Sequence, residues 1–361
     1  MHDNGKVAFA LGGLAGNNAH GAGFLAAALK KRIHPAMVSC TSGQILWVYR
    51  YLLCRNSGKK CPSLKVQLQN DINRLEPFRN PDFDLSLLAL YGKQGVYRPA
   101  GGEYMADAWR NVSASLGRAL FDKNRPFVAR RFLEMFPCRL LVPEFPDNFF
   151  NDISAEMNQT TDIGIIFNSY DPSSGREYVY LNERARRLLG ATSNRPDQYQ
   201  HGKRSSYRDQ TIYRDISPEA VRDGIWLYHY GFNGDKERFV DGAYFREIML
   251  SELTHADTIY VVRPMHLPWT DPLPHNYPEM EDLKTKVGFN GSYAGERYQI
   301  SLMNKLLKSG TLKARIGKKP KYHHIELHPI EMKQSRGYFG YVFEDVSVFN
   351  DAFDQSMAAL S

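Results

Sequence analysis

A three-layer α/β fold with a mainly parallel central sheet is what this sequence predicts, and three observations carry that prediction. The opening alternates short apolar runs with helical patterns, in the order strand, glycine-rich loop, helix, strand, tight turn, helix. Further strand-like runs return at residues 139–142, 162–167 and 258–263, separated by stretches long enough for crossovers. Such alternation implies parallel strands joined by right-handed connections, with helices covering both faces.

Taken in order, Lys6 to Leu11 is a mostly apolar run bounded by glycines and reads as the first strand. Gly21 to Arg32 carries alanine and leucine at helical density and ends in basic residues, which suit the negative end of a helix. Ala36 to Ser39 reads as the second strand and Ile45 to Leu53 as the second helix. Residues from about 55 to 135 are broken by Pro62, Pro77, Pro81 and Pro99, and are expected to form an insertion of helices and loops. Strands are expected at 139–142 and 162–167, a long polar loop at 190–211, a strand and turn at Phe239 to Phe245 and a short helix at Met249 to Ala256. Thr258 to Arg263 is the last core strand; this places a principal domain at 1–265 and a C-terminal extension at 266–361, packed on the core. Within the extension, a proline-rich connector leads to helix-like Ala294 to Lys308, a strand candidate at His324 to Ile330 and a terminal helix at Val348 to Leu360.

Composition narrows the function classes. With 361 residues, 43% of them hydrophobic, the chain can bury a large core. Lys and Arg number 46 against 39 Asp and Glu, giving +7, and the charges are dispersed except at Lys313 to Lys321. A solvated basic face accounts for this, so nucleic acid is not expected as a partner. Four irregularly spaced cysteines point to a reducing, cytoplasmic setting. The apolar segment near the start is too short for a signal peptide, and no run approaches the roughly 18 apolar residues of a membrane span. Any lipid would be met from the water side, as a peripheral contact.

Two short motifs carry chemistry. In Cys40-Thr41-Ser42-Gly43-Gln44 a serine sits where a strand turns sharply into a helix, which lifts its hydroxyl towards the positive helix end. Capping of the following helix is the alternative role for Ser42. Gly12-Gly13-Leu14-Ala15-Gly16 follows the first strand, and its N–H groups could converge on an oxyanion above Ser42. A nucleotide phosphate could use such a loop, but GGLAGNNAHG has neither a GK[ST] ending nor GxGxxG spacing. Far downstream, Val240-Asp241-Gly242-Ala243 reads by itself as a turn between apolar flanks.

The ordered set LGGLAGNNAHGAGFLAAAL, VSCTSGQ, ISPEAVRDGIWLYHYGF, RFVDGAYFREIM and ADTIYVV resembles the patatin-like phospholipase family across about residues 5–263. The resemblance implies a lipid acyl hydrolase that needs no metal and no cofactor. By position it makes Ser42 the nucleophile, Asp241 its catalytic partner and Gly12, Gly13 and Leu14 the oxyanion loop. Thr41 and Gly43 would form the elbow, and Gly242 the motif partner of the aspartate. The implied partner is a lipid or acyl-ester substrate, and an oligomer is compatible. Departures exist: Cys40 and Gln44, whose side chains could crowd the strained turn, stand where the family has glycines, Leu14, Ala15 and Asn18 replace loop glycines, and Asn17 takes the place of a basic residue. These leave open a silent, lipid-binding relative.

Other residues carry less. His324, Glu326 and His328 alternate along a strand, as metal ligands or as a solvated face. His20 follows the glycine loop and could approach the site. Phe145, Phe149, Phe150, Trp226, Tyr228 and Phe232 offer apolar surface for an acyl chain or for the core.

Overall fold

The computed structural model describes residues 6–14, 18–57, 61–73, 97–121, 132, 134–139, 141–143, 145–146, 148–190, 211–232, 239–269, 272–312, 315–316, 319–320, 322–333 and 346–360. The expected polar loop at 190–211 and most of the Lys313 to Lys321 cluster lie outside them.

The elements in chain order begin with β1 (Val7–Leu11), α1 (Ala19–Lys31), β2 (Met37–Cys40), α2 (Gln44–Ser57) and α3 (Leu64–Asn73). There follow β3 (Tyr97–Pro99), α4 (Gly101–Phe121), β4 (Leu141–Pro143), α5 (Phe149–Gln159), β5 (Gly164–Asp171) and β6 (Arg176–Leu181). Next come α6 (Glu183–Leu189), β7 (Thr211–Asp215), α7 (Pro218–Gly224), β8 (Val240–Asp241) and β9 (Thr258–Arg263). The chain finishes with α8 (Tyr277–Lys308), β10 (Arg315–Ile316), β11 (Lys319–Pro320), β12 (Glu326–Glu331) and α9 (Val346–Ala359).

The main sheet has the order β12-β9-β1-β2-β5-β6-β7, with β8 paired to β5 beside that path. Every pairing is parallel except β5 with β6 and β5 with β8. Side chains alternate across it, so its two faces have separate cores. Phe9, Leu11, Val38, Phe167, Tyr180 and Val262 point to the layer holding α1, α2 and α9. Ala8, Ala10, Met37, Ile166, Val179 and Val261 point the other way, to Tyr293 and Ile300 of α8. This is the three-layer α/β arrangement, and strands buried on both faces explain why β1 and β9 read as continuous apolar runs.

Several elements differ from expectation. Met249 to Ala256 forms only a short 3₁₀ turn at Ser251–Leu253. The amides of Leu250 and Ser251 are taken by the Glu296 carboxylate, each at 2.8 Å, instead of by helical carbonyls. Helix α8 starts seventeen residues before Ala294, because Asn276 caps it by accepting from the Glu279 N–H at 3.0 Å and Pro278 sits in its first turn. A proline that interrupts a helix interior is well placed at its start. Strands β6 and β7 were not expected; in β6, Tyr178 and Tyr180 face one core and Val179 and Leu181 the other.

Residues beyond 320 complete the sheet and one of its layers. Strand β12 pairs with β9 from Glu326↔Thr258 to Glu331↔Arg263. Helix α9 lies on α1 so closely that a Cβ on Gly23 would fall 2.3 Å from the Phe349 carbonyl oxygen.

Candidate active site

Ser42 lies at the carboxyl end of β2, beside the loop that leaves β1, where open α/β sheets hold their ligands. Its φ is 57°, in the left-handed region, and among the described non-glycine residues it shares that conformation with Arg32 alone. A β-carbon there is strained by roughly 1–2 kcal/mol. The strain is held by the amide of Thr41 bonding Leu11 O at 3.1 Å and by those of Gln44 and Ile45 bonding Thr41 O and Ser42 O at 3.1 and 3.0 Å. The result is a sharp elbow, with α2 beginning two residues after the serine.

Asp241 reaches the same place from β8. Its amide donates to Trp226 O at 2.8 Å, and it stands opposite Ser169 of β5. The Asp241 carboxylate accepts from the Ala243 N–H at 2.9 Å, and the Ser42 side chain lies near enough to favour its ionised form. Both residues are 1% exposed. Burial raises the Asp241 carboxyl to about 7, against the weaker opposing pull of the Ser42 and Ala243 hydrogen bonds. The carboxylate is therefore poised to take a proton near neutrality. Gly242 follows it and is packed against the Asn168 side chain, whose Nδ2 donates to Gly242 O at 3.4 Å and to Arg246 O at 3.2 Å.

Gly13 is pressed against the elbow: a Cβ on it would fall 2.3 Å from Ser42 Cβ and from Thr41 O. Only glycine fits so near the serine. The expected oxyanion donors, however, are all engaged. The N–H groups of Gly12, Gly13 and Leu14 donate to Val262 O, Thr41 Oγ1 and Asn18 Oδ1 at 2.9, 2.9 and 3.0 Å. Thr41 in turn donates to Glu247 O at 2.7 Å, so the loop is fastened to the elbow through a hydroxyl. Residues 15–17 of the loop lie outside the described residues. The Gly43 N–H, next after the serine, has no acceptor among the described residues.

Neither Cys40 nor Gln44 crowds the turn. Cys40 belongs to the core on the α1 and α2 side, where burial raises its thiol well above the usual range. Gln44 fills the space left by Gly21, whose Cβ would fall 2.0 Å from Gln44 Oε1. From there Gln44 Nε2 donates to Gly12 O at 3.3 Å and Asn18 O at 3.4 Å. His20 Nε2 meets the same Gly12 carbonyl at 2.8 Å. The same ring nitrogen lies 2.9 Å from Gln44 Nε2, and burial lowers His20 to about 4, so the ring is neutral at pH 7. The sequence suggested His20 but not Gln44 as a neighbour of the loop.

A second buried layer supports the first. Arg263 pairs with Glu247 at 2.9 Å, and Arg246 is enclosed by Glu177, Glu252 and Glu296 at 2.8, 2.7 and 3.2 Å. Of the aromatic candidates, Tyr228 and Phe232 are 38% and 45% exposed. Tyr228 stacks on Tyr244 at 3.9 Å and is near enough to Asp241 for that charge to help raise its phenol, after burial and Tyr170. Phe145, Phe149 and Phe150 instead pack on one another. His328 lies 3.4 Å from Glu326 and against the Tyr260 ring, and no metal-holding group of three His, Cys, Asp or Glu occurs among the described residues. Nor is any described helix long and apolar enough to cross a membrane.

No family model and no curated protein matches the sequence. Among solved structures, that of VipD from Legionella pneumophila is similar over 99% of this chain and 66% of its own, with 12% identity and a TM-score of 0.28. The chain thus spans just under two thirds of that protein's length.

Proposed function

We propose that the chain is a patatin-like serine hydrolase of lipid acyl esters, with Ser42 as nucleophile and Asp241 as its base. One observation carries this reading: a serine hydroxyl on a left-handed elbow faces a buried carboxylate raised to about 7. An aspartate at its ordinary value near 3.9 is a weak base for a hydroxyl, whereas one near neutrality is matched to the task. The sequence resemblance, which spans the glycine loop, the elbow and the aspartate motif, supports the same roles.

In this mechanism Asp241 accepts the Ser42 proton as Oγ attacks the ester carbonyl. The tetrahedral oxyanion forms beside the start of α2, where the Gly43 N–H and the helix dipole favour negative charge. Collapse expels the alcohol, which takes the proton from Asp241, and leaves an acyl-enzyme. Water, deprotonated by Asp241, then releases the carboxylic acid and restores Ser42. Tyr228, Tyr244 and Phe232 form the aromatic side through which an acyl chain reaches Asp241. The substrate is an acyl ester met at a lipid surface from the water side, in a cytoplasmic setting.

The test is covalent labelling with a fluorophosphonate: wild type is expected to react at Ser42 and Ser42→Ala to be silent. Absence of labelling and of p-nitrophenyl ester hydrolysis in the folded protein would overturn the reading. A second reading, a lipid-binding protein without turnover, is favoured by the engagement of the Gly12, Gly13 and Leu14 amides. It predicts acyl-chain binding with no release of product.

A further inference from the structure

Cys54 and Cys61 lie on either side of the junction between α2 and α3, outside the site described above. Their sulfur atoms are 2.6 Å apart, close to the covalent spacing of about 2.0 Å for a disulfide. Both side chains are half-buried, and the pair is cradled as a unit. Gln67 Nε2 of α3 donates to Cys54 Sγ at 3.3 Å and to Cys61 Sγ at 3.5 Å, and the Pro62 carbonyl lies 3.3 and 3.4 Å from the two sulfurs. A neighbouring contact joins the same two helices: Arg50 of α2 reaches Asp71 of α3 at 2.6 Å. Cys138 is exposed and Cys40 buried, and neither takes part.

We infer that Cys54 and Cys61 form a reversible disulfide that staples the C-terminal end of α2 to the start of α3. The oxidant is a low-molecular-weight disulfide such as oxidised glutathione. Cys61, as thiolate, attacks one sulfur of that molecule and releases one thiolate, giving a mixed disulfide on Cys61. Cys54 then loses its proton and attacks the Cys61 sulfur, which expels the second thiolate and closes the bond. Two electrons and two protons leave the protein, and the small disulfide is reduced to two thiols. Burial and the adjacent Cys61 hold the Cys54 thiol well above its ordinary range in the reduced pair, so Cys54 is assigned the second step, in which its closeness to the Cys61 sulfur makes the attack intramolecular. The bond acts on the helix that starts at the elbow, since α2 runs from Gln44 to Ser57. It would also set a redox-sensitive feature in a chain whose cysteine spacing alone suggests only free thiols. The inference is independent of acyl hydrolysis and would survive the failure of that reading.

The full chain, fully reduced, would be incubated with oxidised glutathione and mapped by mass spectrometry without reduction. The expected product has lost two hydrogens, yields a Cys54–Cys61 cross-linked peptide, reverts with dithiothreitol and melts about 2–4 °C higher than the reduced chain. In Cys54→Ser the second step is blocked, so one glutathione is expected to remain on Cys61 with no rise in melting temperature. Glutathione retained on Cys54 or Cys61 of the wild type, or modification confined to Cys138, would overturn the inference.

Discussion

Gly13 and Ser42 touch backbone to side chain: there is no room between them for a methyl group, which would fall 2.3 Å from the serine Cβ. The glycine loop and the elbow therefore form one rigid unit, braced through Thr41 to Glu247 O. Gly13→Ala is expected to force the loop off the elbow, at a stability cost of roughly 1–3 kcal/mol. Fluorophosphonate labelling of Ser42 should fall more than the melting temperature suggests. An alanine variant that labels at the wild-type rate would show that the contact is not needed for the chemistry.

Asp241 makes the proposed activity depend on pH. With its carboxyl at about 7, the ionised base is lost as pH falls through that value, so the Ser42 labelling rate should drop about tenfold per unit below it. A flat profile between pH 5 and 8 would count against Asp241 as the base.

The same shift has a consequence for stability. A carboxyl raised from 3.8 to about 7 binds its proton more tightly in the folded state. Its favourable contribution is complete below about 3.8 and is lost as pH rises through about 7, a change on the order of 4 kcal/mol at about 1.36 kcal/mol per unit. Asp241→Asn should therefore be inactive yet melt higher than wild type at pH 8, with the gap closing towards pH 5. Calorimetry at the two pH values measures this directly.

Gln44 and Gly21 share one volume. Gly21→Ala alone should destabilise by about 1–3 kcal/mol, because the new methyl meets the Gln44 amide. Combined with Gln44→Gly the loss should be partly repaired, with a coupling energy of about 0.5–3 kcal/mol in a double-mutant cycle. Strict additivity in urea titrations would contradict the shared packing.

Arg246 is the cation on which three buried carboxylates depend. Glu252 is held below its ordinary range by Arg246 against the opposing effect of burial, whereas burial raises Glu177 despite the same partner. Arg246→Met leaves those charges uncompensated and should cost about 3–5 kcal/mol, read from the urea midpoint. Triple replacement of Glu177, Glu252 and Glu296 by Gln in that background should recover part of the loss.

The parts of the fold legible in the sequence are those with one dominant local signal. Strands β1, β2 and β9 are continuous apolar runs because both faces of a parallel strand are covered, and α1 and α2 follow them with helical spacing. Strand β6 was hidden because its tyrosines and its Arg176-Glu177 start resemble a polar surface, although Glu177 is buried by its pairing with Arg246. Pro278 concealed the start of α8, since a proline signals a break until its place in the first turn is known. At the site, residue order nominated Ser42, Asp241 and Gly13. The left-handed φ of Ser42 and the engagement of Gly13 by Thr41 arise from contacts between distant segments, which no local pattern encodes. Gln44 illustrates the same limit. As a sequence departure it suggests crowding of the turn, whereas its side chain leaves the elbow and fills the gap above Gly21.

The pairing of β12 with β9 and the seating of α9 on α1 join segments more than three hundred residues apart for the helices and about seventy for the strands. Until α9 docks, the surface of α1 that receives Phe349 and Ala352 stays uncovered, so a partly folded chain presents an apolar helix to wrong partners. Removing residues 346–360 would make that exposure permanent and leave the protein prone to aggregate.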